Sequence, residues 1–345
     1  MLLENFRPQS KLVTQTTRVE KPRFPVIDAH NHLGEAFGGG WIHHPLEELL
    51  TVLESAGVAG YVDLDGGWGE AILDQHLSRL APAAARFRVF GGVAWEKWPE
   101  LGDDFPAYAV ERLRAQQERG AAGLKIWKPF GLQVRDQRGE LVKVDDARLD
   151  PLWQAAGELG LPVLAHVADP VAFFDPIDET NERWEELGRH PEWAFPSPPF
   201  PPFLEILTGF KNLVARHPST TFIGAHVGCY AENLGWVGQM LDECPNYFID
   251  ISARLGELGR QPYAARRFFD RYQDRILFGS DMGPNPEYYR LYYRFLETDD
   301  EYFNYNLGAV PVQGRWFVCG LSLPDAILKK VYSENAARLL NFPAF

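Results

Sequence analysis

The stretch Phe24-Pro25-Val26-Ile27-Asp28-Ala29-His30-Asn31-His32 reads as a short buried strand that ends in a histidine–any–histidine pair. Side chains alternate faces along a strand, so residues two apart point the same way. His30 and His32 are therefore expected to reach one metal ion together, with Asp28 behind them to orient a ring. That spacing alone is common. Its weight comes from three later runs that close in the same manner: Pro162-Val163-Leu164-Ala165-His166, Thr221-Phe222-Ile223-Gly224-Ala225-His226 and Arg275-Ile276-Leu277-Phe278-Gly279-Ser280-Asp281. Each delivers a metal-ligand residue type at the C-terminal end of an apolar run.

Outward from these four runs, the chain alternates apolar and amphipathic stretches in eight strand-then-helix units. The predicted strands are Phe24–His30, Gly60–Asp65, Arg88–Ala94, Gly123–Trp127, Pro162–Val167, Thr221–Val227, Asn246–Ser252 and Arg275–Asp281. Most are rich in branched residues and lack polar alternation, which is how parallel strands buried on both faces read. Between them lie amphipathic stretches such as Leu46–Ala56, Ala107–Arg119, Leu149–Leu159, Pro202–Arg216 and Leu234–Glu243. The fold class expected is α/β, a distorted (β/α)₈ TIM barrel. An open doubly wound sheet is the competing topology, but no Gly-x-Gly-x-x-Gly follows the first strand. Residues 1–22 read as an N-terminal arm and 23–345 as one barrel domain.

Two segments exceed the minimal barrel: Asp169 to Pro201 after the fifth strand and the aromatic-rich Asn285 to Trp316 after the eighth. Loops this long inside a domain are usually functional. Both leave the C-terminal strand ends, where barrel enzymes keep their chemistry, so they are expected to wall or cover a pocket. A homodimer contact is the alternative for the aromatic one.

Composition narrows the class. A hydrophobic fraction of 46% over 345 residues suffices for a sizeable core. No run approaches the roughly 18 apolar residues that span a bilayer, and Met1–Arg7 shows no basic-then-apolar secretion signal. Cys229, Cys244 and Cys319 have no metal-site spacing and suit a reducing compartment. A net charge of −13 argues against nucleic acid or an anionic membrane as partner. The expectation is a soluble, cytoplasmic protein with a small-molecule substrate.

A barrel converges its strand ends on one axial pocket, which would gather His30, His32, His166, His226 and Asp281. Imidazole with carboxylate suits a divalent ion such as zinc, manganese, iron or nickel, zinc being the first expectation. Three histidines and an aspartate leave a position open for water, which the ion acidifies towards neutrality. Trp41, Trp68, Trp95 and Trp127 lie at or shortly after the ends of strands one to four. Their indole faces are expected to pack on a sugar or aromatic ring. Lys128 and Arg254, also past strand ends, are expected to hold a carboxylate or a hydroxyl-rich group. His190 and His217, each between arginine and proline, suit helix C-terminal ends, and His76 is expected on a helix surface.

With Asp28-Ala29-His30-Asn31-His32, His166, His226 and Gly279-Ser280-Asp281 at these positions, the chain resembles the amidohydrolase superfamily over roughly residues 24–340. It is most similar to the branch called amidohydrolase family 2, which holds metal-dependent hydrolases, lactonases and non-oxidative decarboxylases. The resemblance implies metal ligation by His30, His32, His166 and Asp281. It makes His226 a general acid or second-metal ligand, and gives Asp281 a further role as base. Lys125, in Gly123-Leu124-Lys125-Ile126-Trp127, falls where binuclear members carry a carboxylated lysine and mononuclear members a plain positive group. The reading taken is one metal and an unmodified Lys125. The implied activity is a hydrolase that turns metal-activated water on a lactone, ester or amide of a small carbohydrate-like or aromatic acid. Asp281, His226 and Lys125 would be its catalytic groups. A metal-dependent decarboxylase of a hydroxy-aromatic acid is the alternative.

Overall fold

The computed structural model describes residues 5, 6 and 9–343. Its parallel strands are β1 (Val26–Asn31), β2 (Val58–Asp63), β3 (Phe87–Val89), β4 (Leu124–Ile126), β5 (Val163–Ala165), β6 (Phe222–Gly224), β7 (Tyr247–Asp250) and β8 (Ile276–Leu277). Every one overlaps a predicted run. Most are shorter than predicted because the last residues of the apolar runs leave the hydrogen-bonded ladder to line the barrel mouth.

Neighbours pair in chain order, β1-β2-β3 in one sheet and β4 to β8 in another. Backbone hydrogen bonds close both seams. Gly91 N donates to Gly123 O at 2.9 Å and Lys125 N to Gly91 O at 2.8 Å, joining β3 to β4. Ala29 N donates to Phe278 O and Asp281 N to His30 O, each at 2.9 Å, joining β8 to β1. The result is the expected (β/α)₈ barrel, distorted at two thinly bonded seams.

The strands bury both faces. Ile27, Ala29, Val62, Leu64, Phe90, Leu164, Ile223 and Leu277 fill the lumen together with Ala336, Leu340 and Phe342 from the C-terminal helical run. These last residues stop the end where the strands begin, since a Cβ on Gly60 would lie 3.0 Å from the Phe342 ring. The opposite end is left open to polar groups.

Helices Leu46–Ala56, Phe105–Arg119, Asp150–Glu158, Phe203–Arg216 and Leu234–Glu243 form within two residues of the predicted stretches. The first shows why: Leu46, Leu49, Leu53 and Ala56 make one buried stripe, and Gly57 ends the helix in a left-handed conformation at φ 75°. His190 and His217 cap the ends of Trp184–Arg189 and Phe203–Arg216, as their arginine–proline setting implies. His76 departs from expectation. It is buried, and its Nδ1 lies 2.5 Å from the Asp63 carboxylate at the end of β2. Its helix, Glu70–Leu80, turns Leu73, His76 and Leu80 inward as one stripe. A carboxylate waiting at the strand end makes that burial tolerable.

The two long segments meet each other. Arg315, in the later one, pairs with Glu185 in the earlier one at 2.6 Å. Residues 9–25 carry no helix or strand. Thr17 ties this arm down by donating from its N and Oγ1 to Asp300 at 2.6 and 2.7 Å. Among the described residues no helix is long and apolar enough to cross a membrane.

Candidate metal centre

The ends of β1, β6 and β8 build the site, and acceptors behind the rings aim it. His30 Nδ1 lies 2.8 Å from Asp250 Oδ2, and His32 Nδ1 lies 2.9 Å from Asp65 Oδ1. His226 Nδ1 lies 3.0 Å from the Ser252 carbonyl. Donation from each Nδ1–H fixes the tautomer and turns Nε2 into the pocket. There the three Nε2 atoms stand 3.9, 3.1 and 3.9 Å from the carboxylate oxygens of Asp281. Donor atoms of His30, His226 and Asp281 all lie within 4.8 Å of one another.

The backbone is bent to achieve this. His226, Val227 and Cys229 follow β6 at φ 57°, 58° and 62°, a left-handed turn completed by Gly228. Asp281 at φ 58° and Ala253 at φ 55° end their own runs in the same region. Such a conformation costs roughly 1–2 kcal/mol per non-glycine residue, and its gathering around one pocket marks a functional site. Asp250 helps to hold it, accepting from His226 N at 3.1 Å and from Ser252 N and Oγ at 3.0 and 2.5 Å. Gly279 allows β8 to come this close, because a Cβ there would sit 2.9 Å from the His30 Cβ.

Burial drives His30 and His226 well below the ordinary histidine range, so both rings are neutral, as ligation requires. Burial also pulls at His32, but Asp281 and Asp65 outweigh it and raise that ring to about 9. Asp281 is pushed up by burial and pulled down further by His30, His32 and Lys125, ending well below the usual carboxylate range. Burial lowers Lys125 to about 8. Its Nζ is 3.5 Å from His30 Nε2 and 4.9 Å from the centre of the Trp127 ring.

The other predicted residues divide. His166 is near the cluster, its ring 4.5 Å from that of His226, but its Nε2 faces Asp169 Oδ1 at 3.2 Å. The second oxygen of Asp169 binds Lys128 Nζ at 2.5 Å, so Lys128 is paired. Trp127 stacks on His32 at 5.2 Å and meets Trp68 at 4.8 Å. Trp95 stacks on Phe130 and Trp41 packs against His44, both at 4.7 Å, within their loops. Arg254 is buried; its guanidinium donates to the Ala253 carbonyl at 2.9 Å and forms no ion pair within 4 Å among the described residues, although Glu257 and Glu232 lie close enough to feel its charge. Asp28 touches neither histidine ring. A register shift between Asp28 and Asn31 separates it from them. Its carboxylate instead accepts from Ser280 Oγ, Asn31 Nδ2 and the Tyr289 hydroxyl at 2.7, 2.7 and 2.6 Å, pinning β1 to β8. Burial still raises it to about 6.

Sequence reasoning did not find Asp65, Asp250, Ser252 or Asp169. The first three lie just past the apolar runs of β2 and β7, in Val62-Asp63-Leu64-Asp65 and Ile249-Asp250-Ile251-Ser252. The strand-end rule that found the histidines applies to them equally.

Three imidazole nitrogens and a carboxylate, each ring backed by an acceptor, fit a divalent ion and define a metal-dependent barrel enzyme. The chain belongs to the amidohydrolase family, whose sequence profile matches residues 27–342. No protein of curated function matches it in sequence. Among solved structures it is similar to 2,6-dihydroxybenzoate decarboxylase from Rhizobium, with a TM-score of 0.56 and 17% identity over 92% of this chain and 99% of that one. A dihydroxybenzoic acid decarboxylase from Polaromonas sp. JS666, with bound manganese and 2-nitroresorcinol, gives 0.54 and 17% over 92% and 97%. The 5-carboxyvanillate decarboxylase of Sphingomonas paucimobilis gives 0.51 and 14% over 86% and 83%. At such identities the likeness establishes the fold.

Proposed function

We propose that this protein is a metal-dependent, non-oxidative decarboxylase of a hydroxylated aromatic acid. The observation that carries the reading is Arg254, a buried guanidinium that touches no carboxylate within 4 Å among the described residues, with Glu257 and Glu232 farther off and His226 close enough to be kept neutral by it. An unpaired buried charge is costly, and a substrate carboxylate is the partner that removes the cost. The decarboxylases of similar fold support this choice over the hydrolysis suggested first by the motif set.

His30, His32 and Asp281 would hold one divalent ion, manganese or zinc, with His166 turning its Nε2 from Asp169 to complete the set and Lys125 unmodified beside them. When bound, the ion supplies positive charge for the oxygens of the acid. Arg254 takes the carboxylate, and the exposed faces of Trp68 and Trp127 flank the ring. The bond between ring and carboxylate breaks, its electron pair moves to the ring carbon and carbon dioxide leaves. Asp281, ionised at the outset, takes the proton of the acid's ring hydroxyl and delivers it to the ring carbon, and water restores the hydroxyl proton as the product leaves. Lys125 offsets negative charge in the pocket.

Hydrolysis of a lactone or ester is the second reading, favoured by the Asp281 and His226 pair, 3.9 Å apart, as base and acid. One assay separates them. Manganese- or zinc-loaded protein is given hydroxybenzoates and a lactone panel, with carbon dioxide and acid release followed in parallel. Carbon dioxide from a hydroxybenzoate, and a KM raised about tenfold by Arg254→Met, are expected. Acid release from lactones without carbon dioxide from any hydroxybenzoate would hand the site to hydrolysis.

A further inference from the structure

Beside the metal centre, the two long segments enclose a second recess of about 140 Å³. Its wall includes Ala253 and Met282, the sequence neighbours of Arg254 and Asp281, so it lies beside the ends of β7 and β8. Leu255, Val312 and Tyr292 give it an apolar body, and Tyr305, Gln313 and Glu186 a polar rim.

One buried polar atom of its wall, the Tyr305 hydroxyl, lacks a hydrogen-bond partner, and so do Trp316 Nε1, Arg183 Nε and Glu257 Oε2, whose residues do not line it. Three side chains converge on one point: a Cβ on Gly256 would lie 3.1 Å from Trp316 Nε1, 3.2 Å from Gln313 Oε1 and 3.5 Å from the Tyr305 ring. Native structures leave few buried donors and acceptors unpaired, and a cluster of them calls for a missing partner. The one charged group of its wall, Glu186, is already matched. Arg183 pairs with Glu257 and, at 2.7 Å, with Glu186, and Arg260 pairs with Glu182 at 2.8 Å. An anion entering here would meet Glu186, and a cation would find that carboxylate already paired with Arg183. A neutral group with a hydroxyl meets neither penalty and offers a partner to the Tyr305 hydroxyl and the Gln313 amide on the wall. The volume sets the size, because a cavity of about 150 Å³ accommodates a benzene ring.

We propose that this recess is a second subsite, which takes a neutral, hydroxylated, ring-sized group carried by the acid substrate. Its catalytic meaning rests on the decarboxylase reading. The acid is then larger than a single benzoate, one ring at the metal and one between the insertions.

The recess is tested first without turnover, using phenol as the probe in saturation-transfer NMR. Phenol is expected to bind the Asp281→Asn protein as it binds wild type. Val312→Trp, a change at a half-exposed rim residue that fills the opening, should abolish that binding. Tyr305→Phe should weaken it about fivefold. Phenol binding that survives Val312→Trp, or that disappears with Asp281→Asn, overturns the subsite. The substrate claim is tested by comparing 2,6-dihydroxybenzoate with analogues bearing a hydroxyphenyl group on the ring. At least one should show a KM about tenfold lower, a gain erased by Val312→Trp while single-ring turnover is unchanged. If no analogue gains, the second ring is excluded. If no acid is decarboxylated at all while phenol behaves as expected, the activity assignment fails and the recess stands.

Discussion

The two ends of the barrel are built from the same eight strands and do opposite things. Where the strands begin, Ala336, Leu340 and Phe342 press apolar side chains into the lumen beside Ile27 and Leu277. Where they end, the lumen receives His30, His32, Lys125, His226 and Asp281, buried or nearly so, on backbone that is left-handed at His226, Val227 and Asp281. Burying those charges and bending those residues destabilises the fold; the apolar end offsets the cost. Stability and chemistry are thus separated along one axis, and each can be changed without the other.

The largest effect should come from the polar end. Asp281→Asn removes the carboxylate of the candidate cluster of His30, His226 and Asp281 and is expected to cut turnover about 10³-fold or more. The thermal midpoint should fall only slightly, because His30, His32 and Lys125 favour the Asp281 charge by more than burial opposes it; a drop as large as that of an apolar-end truncation would mean that the two ends are not separable. Next comes the apolar end. Leu340→Ala is expected to cost about 2–4 kcal/mol in urea unfolding and to leave metal affinity, read by competition with a chelator, within twofold. Asp250→Asn acts behind the ligands. Loss of a carboxylate behind a ligating histidine typically weakens metal binding about 10- to 100-fold, so the same chelator titration should shift by that factor with little change in unfolding. The smallest effect belongs to Trp68→Ala, about half exposed over Trp127. A few-fold rise in KM with unchanged kcat is expected; a loss of kcat would place this indole in the chemistry rather than at the rim.

The apolar half of the comparison was legible in the sequence. Strands buried on both faces need continuous apolar runs, and the helices carry their stripe at a spacing of three or four, so boundaries came out within a few residues. The polar half was legible only in part. His30, His226 and Asp281 were singled out because an apolar run with a ligand residue type at its end is a local pattern, and the barrel brings the three together. Asp250 escaped because its partner His30 is 220 residues away, a pairing that exists only once the barrel closes. Asp28 and His76 were misplaced for a related reason. Their partners, Ser280 with Tyr289 and Asp63, are set by the third dimension and not by helical or strand period. Trp127 and Trp68 meet at His32 whereas Trp41 and Trp95 pack within loops, a division that depends on loop paths and leaves no mark in composition.

Closure of the ring by β8 against β1 has a consequence for the order of events at birth. His32 leaves the ribosome long before Asp281, on the order of 10 to 50 seconds at about 5–20 residues per second. During that interval Asp28 lacks Ser280 and Tyr289, and the histidines lack the carboxylate that gathers them. A nascent chain therefore has no mature ion site until nearly all of it has been made. Tight ion capture becomes a report that synthesis has reached the last strand, and the finished barrel is loaded as a whole.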